Sequence, residues 1–189
     1  MKNLNKLFLV SSGLLFSAAI HAGGNAQGGN TGTAKYVISV KLHSAVGELG
    51  SLKVIENLSN GSTRTLKTCD AIGGVDEHPD GANSRKTPAG AKKVYETNVN
   101  LKYNSPNGWT WIQGVNASYF EDIHGRPVAV HTGNLNSNSH ACVRTSEACS
   151  SYIMSLANSA ATVVAGNSPI TGAPPKRTFN MVVDVQYLD

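Results

Sequence analysis

Residues 128–145 read VAVHTGNLNSNSHACVRT, and this stretch decides more about the chain than any other. A short β-branched run, Val128–His131, has strand character and ends on a histidine. Gly133 and the polar segment Asn134–Asn138 break it, and Ser139–Thr145 then leads into a segment of different period. From Ser146 to Ala161, Cys149, Ile153, Leu156 and Ala160 recur at helical spacing, which predicts a single amphipathic helix. Glu147 in its first turn suits the positive end of the helix dipole, and Gly166 lies in the stop region.

Outward from this stretch the chain reads as strands. Tyr36, Ile38, Val40 and Leu42 alternate with Val37, Ser39 and Lys41, the period of a half-buried strand. Lys53–Leu58 and Thr63–Thr68 flank Ser59–Asn60–Gly61–Ser62, and Asn-Gly between two such runs predicts a hairpin. At the C-terminus Phe179, Met181, Val183, Val185 and Tyr187 share one face of a further strand, with Pro174–Pro175 ahead of it. Short strands, Gly/Asn/Pro turns and one principal α-helix make the expected fold class mainly β, a sandwich or barrel.

Composition excludes several functions. The net charge of +4 includes Lys2 and Lys6 in a leader-like segment; without them 14 basic side chains face 12 acidic ones. That surplus is too small and scattered for a nucleic-acid footprint. Lys2 and Lys6 precede the largely apolar Leu7–Ile20 and a small residue at Ala22, so residues 1–22 read as a secretory signal peptide. Residues 23–34 form a Gly/Asn-rich lead-in, and residues 35–189 one domain. After signal removal no stretch is long and apolar enough for stable membrane insertion. The expected location is therefore outside the cytoplasm. Aromatic residues make up only 6% of the chain, so the core must rest on Val, Ile, Leu and Ala.

Export places Cys69, Cys142 and Cys149 where a disulfide persists. Three cysteines leave one thiol over. Either Cys69 pairs with Cys149 and Cys142 is a functional thiol, or one disulfide accompanies an inert buried cysteine. A Cys142–Cys149 bridge would span only seven residues across a helix start, awkward for the ~4.4–6.8 Å Cα separation a disulfide needs.

Cys142 carries the sharpest chemistry. A strand delivers His131, and Cys142 follows a loop ahead of the predicted helix. Helix N-terminal N–H groups would lower a thiol's pKa, and an imidazole would take its proton to leave a thiolate–imidazolium pair. The same N–H groups would hold an oxyanion. The competing reading is zinc on His131, His140, Cys142 and Cys149, with His124 nearby. No C-x-x-C pair is present and no second cluster completes four ligands at familiar spacing, so no metal is expected. Trp109, Trp111, Tyr119 and Phe120 could stack on sugars or fill the core.

At these residues the chain resembles the catalytic domain of the L,D-transpeptidases, the YkuD-type peptidoglycan transpeptidases. His131 stands where that family carries a histidine at a strand end. Ser139–His140–Ala141–Cys142–Val143–Arg144 is similar to its Ser/Thr-His-Gly-Cys motif with the following hydrophobic residue and Arg or Asn. Upstream, Thr87–Pro88–Ala89–Gly90 resembles its Thr-Pro-x-Gly, Gly73–Gly74 its glycine after a strand, and Leu52–Asn60 its early hairpin. The resemblance spans residues 35–189 in order.

It implies an L,D-transpeptidase-like β-sandwich or barrel with Cys142 as nucleophile and His131 as general base. Thr132 would orient that base through its carbonyl, and the N–H groups of Ala141 and Cys142 would form the oxyanion hole. Ser139, His140 and Arg144 would shape the loop and the acyl-donor site. A functional Cys142 goes with the first of the two cysteine readings, the Cys69–Cys149 disulfide. The implied partners are peptidoglycan stem peptides, with no cofactor, in a bacterial periplasm or cell envelope. The implied reaction is attack on a diaminopimelate–D-Ala bond, the thioester then being resolved by an amine. Water as acceptor would make a carboxypeptidase or endopeptidase, and a dead site a cell-wall-binding domain. Two departures stand out. Ala141 replaces a glycine, and His131 and Cys142 are 11 residues apart, shorter than the commonest family spacing. If the turn needs a positive φ at residue 141, alanine costs on the order of 1 kcal/mol there.

Overall fold

The computed structural model describes residues 34–76, 85–105, 108–123, 126–163 and 177–189. The signal-like segment, nearly all of the lead-in, His124, Gly166 and Pro174–Pro175 lie outside them. Strand β1 (Tyr36–Leu42) buries Tyr36, Ile38, Val40 and Leu42 on one face, the alternation its sequence carries. β2 (Gly50–Asn57) and β3 (Thr63–Ile72) form the expected hairpin, longer at both outer ends than the β-branched runs alone. Gly61 takes φ +80° in its turn, a conformation that favours glycine.

β4 (Gly90–Lys93) and β5 (Glu96–Asn98) follow Thr87–Pro88–Ala89. β6 (Leu101–Ser105) and β7 (Gly108–Ile112) make a separate hairpin. β8 (Ala117–Ile123), β9 (Arg126–Thr132) and the short β10 (Val143–Thr145) come next. The helix, α1 (Glu147–Ser159), lies inside the predicted span; Ser146 caps it, its hydroxyl accepting from the Cys149 N–H. β11 (Thr162–Val163) pairs with β12 (Arg177–Thr178), and β13 (Met181–Tyr187) ends the fold.

Nine strands join one sheet in the order β4-β13-β1-β2-β3-β10-β9-β8-β5. Its edge strands, β4 and β5, are separated along the chain by Val94 and Tyr95 alone. The Val94 N–H donates to Met181 on β13 at 3.0 Å, and the Tyr95 N–H donates to Tyr119 on β8 at 2.9 Å. Consecutive amides therefore bond opposite ends of the sheet. It must curl until its edges meet, as a barrel does.

Inside, one continuous cluster joins Ile38, Val40, Leu52, Val54, Val183 and Val185 to Cys149, Ile153 and Ala157 of α1. The helix packs against β8, β9 and β5. Tyr119 and Phe120 are buried at 2% and 3% exposure, so neither offers a ring for a sugar to stack on. The two tryptophans lie in β7. A smaller cluster, Leu101, Ala117, Tyr119 and Ala129, fills the other face of β8 and β9.

Candidate active site

Strand pleat and register assemble the site. Val128 and Val130 of β9 point into the main core, whereas Ala129 belongs to the second cluster, so His131 shares Ala129's face. β10 runs parallel to β9 with Val143 opposite Val130 and Arg144 opposite His131. Cys142 precedes Val143 and comes alongside Ala129, whose N–H donates to the Cys142 Sγ at 3.5 Å. A loop leaving one strand and returning on its parallel neighbour thus brings Cys142 beside Ala129, two residues before His131 on β9. On the far side of β9, Ala117 lies opposite His131 and Tyr119 opposite Ala129.

His131 is held in one orientation. Its Nδ1 lies 2.6 Å from the Thr132 carbonyl oxygen, which only accepts, so Nδ1 carries the proton and Nε2 is the basic nitrogen. Thr132 is held in turn. Its hydroxyl is 2.6 Å from that of Ser150 on α1, and the Ser150 hydroxyl donates to the Glu147 carbonyl at 3.1 Å. Each hydroxyl has one proton, so Thr132 donates to Ser150. The first turn of α1 thereby locks the residue whose carbonyl fixes the imidazole.

The electrostatics differ from those the sequence predicts. Burial pushes His131 down to about 4, with Arg144 adding to the fall and the Thr132 carbonyl opposing it. Burial also pushes the Cys142 thiol up, against the Ala129 N–H and Arg144, which both pull it down. At neutral pH Cys142 rests as the thiol and His131 as the neutral imidazole. The reason is structural. β10 stands between Cys142 and α1, so the thiol lies five residues ahead of the first helical position and not at the start of the helix.

Arg144 holds the loop. Its guanidinium donates to the carbonyls of Asn134 (3.0 Å) and Asn138 and to the Ser137 hydroxyl (3.4 Å), stapling the loop between His131 and Cys142. Its stem crosses Gly133, where a Cβ would stand 2.3 Å from the Arg144 Cδ. Ser139 is buried, and its N–H donates to the Gly73 carbonyl at 3.0 Å. His140 is exposed, with Arg85 and Arg144 near enough to act on its charge. Partial burial, with these two guanidiniums behind it, lowers its pKa. Ala141 sits at φ +78°, the only non-glycine residue with positive φ among those described.

Cys69 on β3 and Cys149 on α1 are joined by a disulfide with Cα atoms 6.5 Å apart, leaving Cys142 as the free thiol. A sulfur in a disulfide is no thiolate ligand, so Cys149 drops out of the zinc set. Ser150 and Tyr187 belong to this region and were not legible in the sequence. Ser150 looks like a neutral residue beside the apolar face of α1, and Tyr187 like one more core position of β13.

No family model matches the chain, and no curated protein does. Solved structures do. The likeness is to L,D-transpeptidases. LD transpeptidase LdtMt1 in complex with imipenem shares 16% identity at a TM-score of 0.46, over 80% of this chain and 59% of that one. An L,D-transpeptidase from Mycobacterium tuberculosis gives 13% and 0.46, over 80% and 57%. The L,D-transpeptidase from Stackebrandtia nassauensis gives 14% and 0.43, over 90% and 61%. The chain spans about three fifths of the length of each.

Proposed function

We propose that the chain is a cysteine acyltransferase acting on peptidoglycan stem peptides, an L,D-transpeptidase in activity. What supports the reading is a free Cys142 thiol that takes the N–H of Ala129, two residues before His131, whose Nδ1 is committed to the Thr132 carbonyl. In this reading a bound stem peptide presents the amide between diaminopimelate and its terminal D-Ala to Cys142. As the sulfur adds to the carbonyl carbon, the thiol proton passes to Nε2 of His131. The oxyanion is received by the N–H groups of Ala141 and Cys142. His131 then gives its proton to the departing D-Ala amine, the C–N bond breaks, and a thioester remains on Cys142.

An amine from a second stem attacks the thioester, its proton passes to His131, and the thiol is released. A neutral resting pair fits this sequence, because a buried thiol ionises only when the proton has somewhere to go and the new charge is stabilised. The leader-like residues 1–22 and the Cys69–Cys149 disulfide support an exported location in the bacterial envelope.

Intact-mass spectrometry of the protein with a tetrapeptide stem tests the first half-reaction. The reading expects an adduct equal to the stem less D-Ala, reversed by hydroxylamine and absent from Cys142→Ala. No adduct, or one that survives in Cys142→Ala, contradicts it. The departure at Ala141 favours a second reading, an inactive wall-binding domain, for which the protein would sediment with peptidoglycan and form no adduct.

A further inference from the structure

Gly73 and Gly74 sit beneath the turn that carries Cys142, and they are held from three directions. The Gly73 carbonyl accepts from the Ser139 N–H at 3.0 Å and from the Asn138 Nδ2 at 3.2 Å. The Gly74 N–H donates to the Thr87 hydroxyl at 2.9 Å, and the Thr87 N–H donates back to the Gly74 carbonyl at 3.0 Å. The Tyr187 phenol, at the end of β13, donates to that same carbonyl at 2.7 Å, with the Thr87 carbonyl 3.2 Å away. Thr87 is 1% exposed.

The fit above Gly74 is close. A Cβ there would stand 1.6 Å from the Arg85 carbonyl oxygen and 2.8 Å from the Ala141 nitrogen. Neither neighbour is a flexible side chain that can step aside. Directly over this glycine the backbone turns through Ala141 at φ +78°, a conformation that swings successive peptide N–H groups toward one side.

We infer that Gly73–Gly74, clamped by Thr87 and Tyr187, is a platform that sets the Ala141 and Cys142 N–H groups for an oxyanion, making Gly74, Thr87 and Tyr187 positioning residues. The inference rests on the acyl-transfer reading of Cys142. It gives Thr87 and Tyr187 a reason to be polar in places where the sequence offers only fold-setting or apolar roles. Removing one hydroxyl loosens the platform without touching the thiol.

The test separates oxyanion stabilisation from thiol reactivity. p-Nitrophenyl acetate acylates Cys142 through a tetrahedral oxyanion, whereas iodoacetamide alkylates the same sulfur without one. Both rates are measured on the full chain, with Cys142→Ala as background. In Tyr187→Phe and Thr87→Val, acylation should fall about tenfold or more, by analogy with loss of an oxyanion donor, while alkylation stays within about twofold. Thr87→Ser, which keeps the hydroxyl, should restore acylation. Gly74→Ala should give the largest loss, and Tyr187→Phe keeps the test intact if that variant does not fold. Acylation unchanged in the hydroxyl variants, or falling in step with alkylation, overturns the platform alone. Wild-type protein that is alkylated but never acylated at Cys142 overturns the acyl-transfer reading, and the platform with it.

Discussion

Burial changes the titration of His131. Its pKa falls from 6.5 to about 4 on folding, so the unfolded chain takes up a proton more readily between those values. The stability linked to this group is present above pH 6.5 and is lost as pH falls through 4. At 1.36 kcal/mol per unit the loss amounts to about 3 kcal/mol. Urea titrations at pH 7 and pH 4 should show the wild type losing about that much more than His131→Asn, whose side chain does not titrate. Equal losses in the two proteins would place the acid sensitivity elsewhere. Ala141 is the other residue under constraint. Its φ of +78° costs an L-residue about 1 kcal/mol, partly offset by burial of its methyl. Ala141→Gly should therefore raise stability by up to ~1 kcal/mol, read as a rise in Tm of ~2–4 °C. A lower Tm would mean the methyl's packing outweighs the strain.

Among the elements, α1 is tied down twice, by Ser150 to Thr132 and by Cys149 to Cys69 on β3. The disulfide links residues 80 apart, a loop whose closure is worth ~4 kcal/mol in the chain-entropy account. The double variant Cys69→Ala/Cys149→Ala should lose ~2–4 kcal/mol in urea unfolding, with Cys142 still free to alkylate. The strands were legible because alternation of Val, Ile and Leu is a local signal, as in β1 and β13. The three residues of β10 were not. Val143–Thr145 is too short for a period, and its strand character comes from pairing with β9 and β3, contacts remote in sequence. That omission had a chemical consequence, since it placed Cys142 against a helix end that lies farther along the chain.

At the scale of the whole molecule, the curl of the sheet joins its edges at Val94 and Tyr95, and the smaller apolar cluster fills the second face of β8 and β9. The order of His131, loop and Cys142 could be read from residues 128–145, because motif order and spacing are properties of the chain. The protonation states could not, because they depend on burial that the rest of the fold supplies. Thr87, Gly74 and Tyr187 come together from three separate segments, and no window of sequence contains them. Central to the account is that Cys142 transfers an acyl group between stem peptides. The most direct test is mass spectrometry of tetrapeptide muropeptides after incubation with the protein lacking residues 1–22, beside Cys142→Ala. Dimers joined through two diaminopimelate residues, or exchange of the terminal D-Ala, both dependent on Cys142, are the predicted result. Muropeptides that emerge unchanged, or that change equally with Cys142→Ala, would contradict it.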